Sequence, residues 1–270
     1  MRRRVVYTAL LGGYEQLLEQ PIARDSSAEF ICFTDSDDLN SSTWRVVKIS
    51  PAWPLDPVRS ARHLKVLGHP ALADFDETMW IDNRILLKVD PDLVFDNWLG
   101  DADLALPTHD HRATVADEFQ TIIDEGFDDP ARVREQWNHY SILAPEVLDE
   151  TPLWTAILLR RNCDAVRATM RLWMDQLLRY SRRDQLSIGF VLSQRPIRLS
   201  VQSLANFESD IHTWVSTSTL KRDKNIRVWK RNPYRYREYQ RVRDRIISSR
   251  VMRRLRSLAS NASPKRKLRS

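Results

Sequence analysis

Hydrophobic positions along this chain fall into two recurring patterns. Short, almost unbroken apolar runs rich in β-branched and aromatic residues occur at RVVYTAL, EFICFTD, WRVVKIS, ETMWIDN, ADLALP, LWTAILLR and IRLSVQS. These read as β-strands. Between them, apolar residues three and four apart mark helices in PVRSARHLKVLGHPAL, PDLVFDNWLG, TVADEFQTIIDEG and PARVREQWNHY, and over the long stretch NCDAVRATMRLWMDQLLRYSRRDQLSIGFVL. Strands alternating with helices predict an α/β fold with a mostly parallel central sheet flanked by helices. In such sheets ligands gather where strands end, so Thr8 to Tyr14, Thr34 to Asp38, Asp82 to Arg84 and Thr108 to Arg112 become the stretches to watch.

After Ser209 the pattern weakens, and charge then separates the chain into unlike parts. Of its 42 Lys and Arg, 19 lie from Lys221 onward, with only 3 of its 36 Asp and Glu, so the tail carries +16 and the first 220 residues −10. Within the tail, Ile247, Val251, Leu255 and Leu258 line one side of a helix whose other sides are Arg-rich, the pattern of a basic amphipathic helix. The predicted organisation is a domain over residues 1–215, a basic helical extension over 216–258 and a disordered basic tail over 259–270.

A length of 270 residues with 42% hydrophobic and 29% charged residues suits a soluble α/β domain with an appendage. Cys32 and Cys163 lie in apolar runs without metal-ligand spacing and read as reduced core thiols of a cytoplasmic protein. The apolar run after MRRR is too short for a secretory leader and reads as a first strand. No stretch reaches the roughly 20 apolar residues of a membrane span.

Each strand end offers chemistry beside a plainer explanation. In FTDSDD, Asp35, Asp37 and Asp38 suit ribose or base contacts, or a solvated turn that caps a helix. Gly12 and Gly13 after the first strand allow close backbone approach, without forming a dinucleotide or P-loop fingerprint. Arg59, Arg62 and Lys65 share a helical face that could neutralise a diphosphate or simply face solvent. In MWIDNRILL, Asp82 ends a strand where sugar-nucleotide enzymes often hold a metal with a second acid two residues on, and here that place holds Arg84. His109 and His111 alternate as a metal pair would, but no third ligand is near, so a ligand-facing loop with Arg112 is the expectation. Arg183, Asp184 and Gln185, set among Leu186, Ile188, Phe190 and Val191, must be partly buried and need partners, whether as a helix cap with an internal salt bridge or as a site.

Taken in order, VYTALLGGYEQL, FICFTD, the R-x-x-R-x-x-K helix, MWIDNRILL, THDHR with its later Glu, and RRDQLSIGFVL resemble the glycosyltransferase-like family of the plant mucilage- and pectin-related TOD/MUCI proteins and their bacterial relatives, over roughly residues 5–205. The resemblance implies a GT-A-like, Rossmann-like nucleotide-sugar-binding fold and transfer from a uridine diphosphate sugar with retention of configuration. The Asp-Gln pair is also similar to an element of glycogenin-like retaining transferases beside the reacting sugar. Carried over by position, Thr8, Gly12 and Tyr14 would line the nucleotide pocket, Asp35 would meet base or ribose, and Arg59, Arg62 and Lys65 would face the diphosphate. Asp82 and Asn83 would stand at its far end. Asp184 and Gln185 would flank the anomeric carbon, and His109, His111 and Arg112 would touch donor or acceptor sugar, with Glu118 a lesser candidate for the same role.

Arg84 departs from the wider GT-A pattern. It removes a ligand for Mn²⁺ or Mg²⁺ and places a permanent positive charge near the site, so metal-independent transfer with Arg84 as a catalytic cation is the expectation. The alternative is a metal held by Asp82 with a distant His212. The expected partners are a nucleotide-sugar donor, a glycan or lipid-linked acceptor in bacterial cell-surface polysaccharide synthesis, and an anionic membrane surface against residues 221–270 on the inner face of the membrane. The tail packing on its own body or on a dimer mate is the plainer reading. Rival functions are a catalytically inactive sugar-nucleotide binder and a nucleic-acid-binding protein acting through WKRNPYRYREYQRVRDR; the acidic body argues against the latter.

Overall fold

The computed structural model describes residues 2–13 and 15–216. Tyr14 and the basic segment from residue 217 on, including the expected amphipathic helix and tail, lie outside the described residues. The described strands are β1 (Arg4–Leu10), β2 (Glu29–Thr34), β3 (Arg45–Lys48), β4 (Glu77–Ile81), β5 (Ile85–Leu87), β6 (Leu104–Pro107), β7 (Ile157–Arg161), β8 (Leu199–Gln202) and β9 (His212–Trp214). The helices are α1 (Pro57–Leu67), α2 (Pro91–Leu99), α3 (Val115–Asp124), α4 (Pro130–Leu143), α5 (Asp164–Arg179) and α6 (Gln185–Gln194).

Each of the seven apolar runs becomes a strand of one sheet, in the order β3-β2-β1-β4-β7-β6-β8. All pairings are parallel except those of β7, which runs antiparallel to both β4 and β6. The reversal follows from the chain's route. After β6 it stays at the strands' C-terminal end through α3 and α4, so β7 enters the sheet from that end.

Both faces of the five central strands are covered, which is why these read as unbroken apolar runs, while the edge strands β3 and β8 are only partly buried. On one face Tyr7, Phe33, Trp80, Leu104 and Leu158 pack under α1, α5 and α6. On the other, Val6, Cys32, Met79, Ile81 and Leu159 pack under α2. A third cluster, around Phe119, Tyr140 and Phe190, joins α3 and α4 to α6. Cys32 lies in the core, and burial pushes its thiol up to about 12. Cys163 is only partly buried at the start of α5, so only one of the two is a core thiol.

Local chemistry explains the helix starts. Asp56-Pro57, Asp90-Pro91 and Asp129-Pro130 each place a capping carboxylate before a proline in the first turn of α1, α2 and α4. Thr114 and Asp117 form a capping box for α3. One expectation fails here, because the single long helix over residues 162–192 is two. Asp128, in the loop before α4, accepts from Ser181 Oγ at 2.7 Å and from the Arg182 amide at 2.8 Å, and the chain turns between Tyr180 and Asp184. A tertiary carboxylate breaks this helix where no glycine or proline does. The β5–β9 ribbon, with Leu87 opposite His212 and Ile85 opposite Trp214, is also absent from the sequence reading. Its strands are only three residues long and carry no period of their own.

Candidate functional site

The cationic face of α1 divides into two tasks. Arg59 donates through Nε and Nη2 to the carbonyls of Leu177 and Tyr180 at 3.1 and 3.0 Å, and through Nη1 to Asp56 at 2.7 Å. It therefore clasps the end of α5 and is not directed at a ligand. Arg62 and Lys65 converge instead on one oxygen of Asp184, Oδ2, at 3.0 and 2.6 Å. Lys65, whose side chain has no exposed surface, also donates to Thr155 Oγ1 at 3.1 Å and lies 3.4 Å from Asp82 Oδ1. A buried ammonium survives because two carboxylates and a hydroxyl replace its water.

Asp184 stands at the start of α6, placed there by the helix break and by Trp173. The indole Nε1 of this wholly buried residue donates to the Asp184 carbonyl at 3.3 Å and to Ser187 Oγ at 3.1 Å. Burial by itself pushes the Asp184 carboxyl up, but Arg62 and Lys65 outweigh it and hold it well below the usual carboxylate range. The side chain is anionic throughout the physiological range. Gln185 follows it, buried in the first turn, and none of the hydrogen bonds of the described residues uses its amide.

Among the described residues Arg59, Arg62, Lys65 and Arg112 each form a salt bridge, and Arg183 forms none. Its Nε is shielded from water and meets no hydrogen-bond partner, while the guanidinium lies over the Phe127 ring at 5.5 Å. Burial draws its pKa down, against the pull of Asp184, Glu118 and Asp128 nearby. It is a cation held in place by shape and field, with donors left for something else.

The end of β6 supplies the opposite wall. His109 donates its amide to the Pro152 carbonyl at 2.8 Å, and its Nδ1 accepts from the His111 amide at 3.1 Å. Burial, then Arg112, lowers its pKa to about 4, so it is neutral at pH 7. His111 is exposed, packs at a tilt against Phe207 with ring centres 4.8 Å apart and reaches Asp110 at 3.2 Å. Arg112 is bound to Glu118 at 3.0 Å. Glu118 is buried, and burial raises its pKa despite Arg183 and Arg112. The charges thus form a row, Asp82, Lys65, Asp184, Arg62, Arg183, Glu118, Arg112, along the C-terminal edge of the sheet.

The Asp82-Asn83-Arg84 stretch splits after its first residue. Asp82 Oδ1 accepts from Trp80 Nε1 at 2.7 Å and faces Lys65. Asn83 turns away, accepting from the Leu18 amide at 2.9 Å and donating to the Gln16 carbonyl at 2.9 Å. Arg84 pairs with Glu15 at 3.3 Å and lies over Trp214 at 5.6 Å. Both fasten the 15–18 loop to the strand end, and Arg84's charge is already spent on Glu15. Asp35 is likewise engaged, taking the Gly12 amide on both carboxylate oxygens at 3.1 and 3.0 Å. Gly12 at φ 74 occupies a conformation that favours glycine. Thr8 has no exposed surface and its hydroxyl has no partner, so it belongs to the core and not to a pocket wall.

His212 is buried in β9 and both its ring nitrogens have partners, Nε2 with the Asn206 carbonyl at 3.0 Å and Nδ1 with Ser209 Oγ at 2.8 Å. Neither is left for a metal. Among the described residues no three His, Cys, Asp or Glu side chains converge as a metal site would need. The donor set at Asp82, an indole and an ammonium, does not fit a divalent ion.

Sequence reasoning brought Lys65, Arg62, Asp82 and Asp184 into one site and overlooked Trp80, Thr155 and Asp128. Trp80 was within reach, since alternate strand residues share a face with Asp82. Thr155 and Asp128 come from loops that carry no pattern.

Comparison with known proteins agrees with the family resemblance. The model of the TOD1/MUCI70 glycosyltransferase-like domain matches residues 24–211. The Arabidopsis thaliana protein named "Probable hexosyltransferase MUCI70" is 26% identical over 157 residues, covering 55% of this chain but only 27% of that protein. Among solved structures, core-mannan synthase A of Aspergillus fumigatus in its Mn/GDP form aligns with a TM-score of 0.43 at 9% identity, over 78% of this chain and 74% of that one. Mouse xyloside xylosyltransferase 1 in its apo form aligns with a TM-score of 0.39 at 13% identity, over 74% and 84%.

Proposed function

Since this chain belongs to the TOD1/MUCI70 glycosyltransferase-like domain family, we propose that it is a glycosyltransferase that takes its sugar from a nucleoside diphosphate donor, with uridine diphosphate as the carrier. The observation that carries the reading is the convergence of Arg62 and Lys65 on Asp184 beside Asp82 and an Arg183 whose Nε has no hydrogen-bond partner, at the C-terminal edge of the sheet.

Departure of a nucleoside diphosphate builds negative charge on the β-phosphate, and a fixed cation nearby lowers that barrier. Arg183 suits the task because its guanidinium has donors to give, and a bidentate grip on phosphate oxygens matches its geometry. Arg84, first expected in that role, is tied to Glu15. The chemistry of the donor set at Asp82 supports transfer without a divalent ion. Asp184, held anionic, would face the developing positive charge at the anomeric carbon, with Gln185 beside it. Transfer with retention fits a site whose carboxylates Asp184 and Glu118 are already held by Arg62, Lys65 and Arg112, because the departing phosphate can accept the acceptor's proton. Neutral His109, with His111, would contact a sugar hydroxyl. The acceptor in this reading is a glycan or lipid-linked glycan in polysaccharide synthesis, and residues 221–270 would hold the enzyme at an anionic membrane surface, consistent with their net charge.

A thermal-shift comparison of UDP, GDP, CDP and ADP in EDTA tests the donor assignment. UDP should stabilise the protein most, and equal or absent stabilisation would remove the reading. UDP stabilisation without transfer from any UDP-sugar would instead identify an inactive binder.

A further inference from the structure

A cavity lies away from the charge row, near the other end of β4. It holds about 510 Å³ and is walled by Val66, Leu72, Val166 and Met170, with Arg160 buried within it and Arg171 exposed at its margin. Pockets of this size take small organic molecules.

Arg160 is the unusual member. Register places it opposite Thr78 on β4, four residues before Asp82. Only 7% of it is exposed, yet its guanidinium meets no carboxylate. It donates through Nε to Thr78 Oγ1 at 3.2 Å, through Nη2 to the Tyr7 hydroxyl at 2.6 Å and through Nη1 to the Val66 carbonyl. Three neutral acceptors take three of five donors and none of the charge. The other shielded cations of the sheet are treated differently: Lys65 meets Asp184 and Asp82, and Arg4 meets Glu77, Asp92 and Asp96. A buried charge without a counterion is costly, and a cavity beside it leaves room to supply one. Arg171 has no ion pair among the described residues either, so two unneutralised guanidiniums border one apolar-walled space.

We infer that this cavity binds a small organic anion, its phosphate or carboxylate head on Arg160 and Arg171 and its apolar body against Val66, Leu72, Val166 and Met170. The site is separate from the donor site, although the Tyr7 hydroxyl that accepts from Arg160 donates to the Lys65 carbonyl at 2.9 Å, so both sites share the last turn of α1.

The test is titration of the full chain with phenyl phosphate, followed by calorimetry and by methyl NMR, with inorganic phosphate as the head alone and phenol as the body alone. Phenyl phosphate should bind about ten-fold or more tightly than either fragment. It should shift the methyls of Val66 and Val166, and saturating UDP should not displace it. Arg171→Glu, an exposed change that leaves the core intact, should weaken it about ten-fold or more. Arg160→Met should abolish it if that variant folds, and Arg171→Glu decides the matter if it does not. Absence of saturable binding at millimolar probe, equal binding to wild type and Arg171→Glu, or displacement by UDP would each overturn the proposal.

Discussion

Lys65 Nζ lies 2.6 Å from Asp184 Oδ2 and 3.4 Å from Asp82 Oδ1, so one ammonium from α1 joins a helix start to a strand end 102 residues earlier in the chain. The pair is the structural centre of the site, and it sets the first expectation. Lys65→Met puts an apolar tip against Asp82 and leaves Asp184 with Arg62 alone, and should cost about 3–5 kcal/mol in urea denaturation. Adding Asp184→Asn should recover part of that loss, because the buried carboxylate that has lost one of its two cations is then neutral. A Lys65→Met protein of unchanged stability would mean the ammonium is not buried in solution.

Acid should act in two stages. His109 has a folded-state pKa lowered to about 4, below its usual value near 6.5, so its contribution is present above that usual value and is lost as pH falls toward 4. Asp184 is held below the carboxylate range, so its contribution persists until pH falls below about 3.9 and disappears under that. Titration of the His109 ring by NMR should show no protonation at pH 6. A midpoint near 6.5 would place His109 in open solvent.

Arg183 and Arg84 should separate in binding experiments. Arg183→Ala should weaken UDP binding about ten-fold or more while leaving the fold intact, since its Nε has no hydrogen-bond partner and it forms no salt bridge among the described residues. Arg84→Ala should lower stability by about 1 kcal/mol through the 15–18 loop and change UDP affinity little. Calorimetry on the two variants decides the assignment, and the reverse order of effects would return the role to Arg84.

Arg59→Ala should behave as a structural change. It removes two hydrogen bonds to the end of α5 and should cost about 1–3 kcal/mol without altering UDP affinity. A loss of affinity at unchanged stability would put Arg59 back beside the diphosphate.

Sedimentation with vesicles of anionic lipid, with and without residues 221–270, checks the membrane proposal. The full chain should partition to anionic vesicles and be released by salt, and the shortened chain should remain in solution.

The sequence by itself determined the sheet. Unbroken apolar runs such as EFICFTD must be buried on both faces, and each became a strand because local hydrophobicity needs no distant partner to declare itself. It also determined three helix starts through Asp-Pro pairs, and it brought forward Lys65, Asp82 and Asp184 as chemistry. Tertiary structure decided what each charge does. Arg59, Arg62 and Lys65 look alike on a helical wheel, yet the first meets carbonyls of α5 and the others meet Asp184. Arg84 reads as a cation beside Asp82 until Glu15 is seen to hold it. The break before Asp184 depends on Asp128, more than fifty residues upstream. A side chain's partner is set by which segments the fold brings within 3 or 4 Å, and electrostatic role, unlike burial of an apolar run, does not exist until that partner is present.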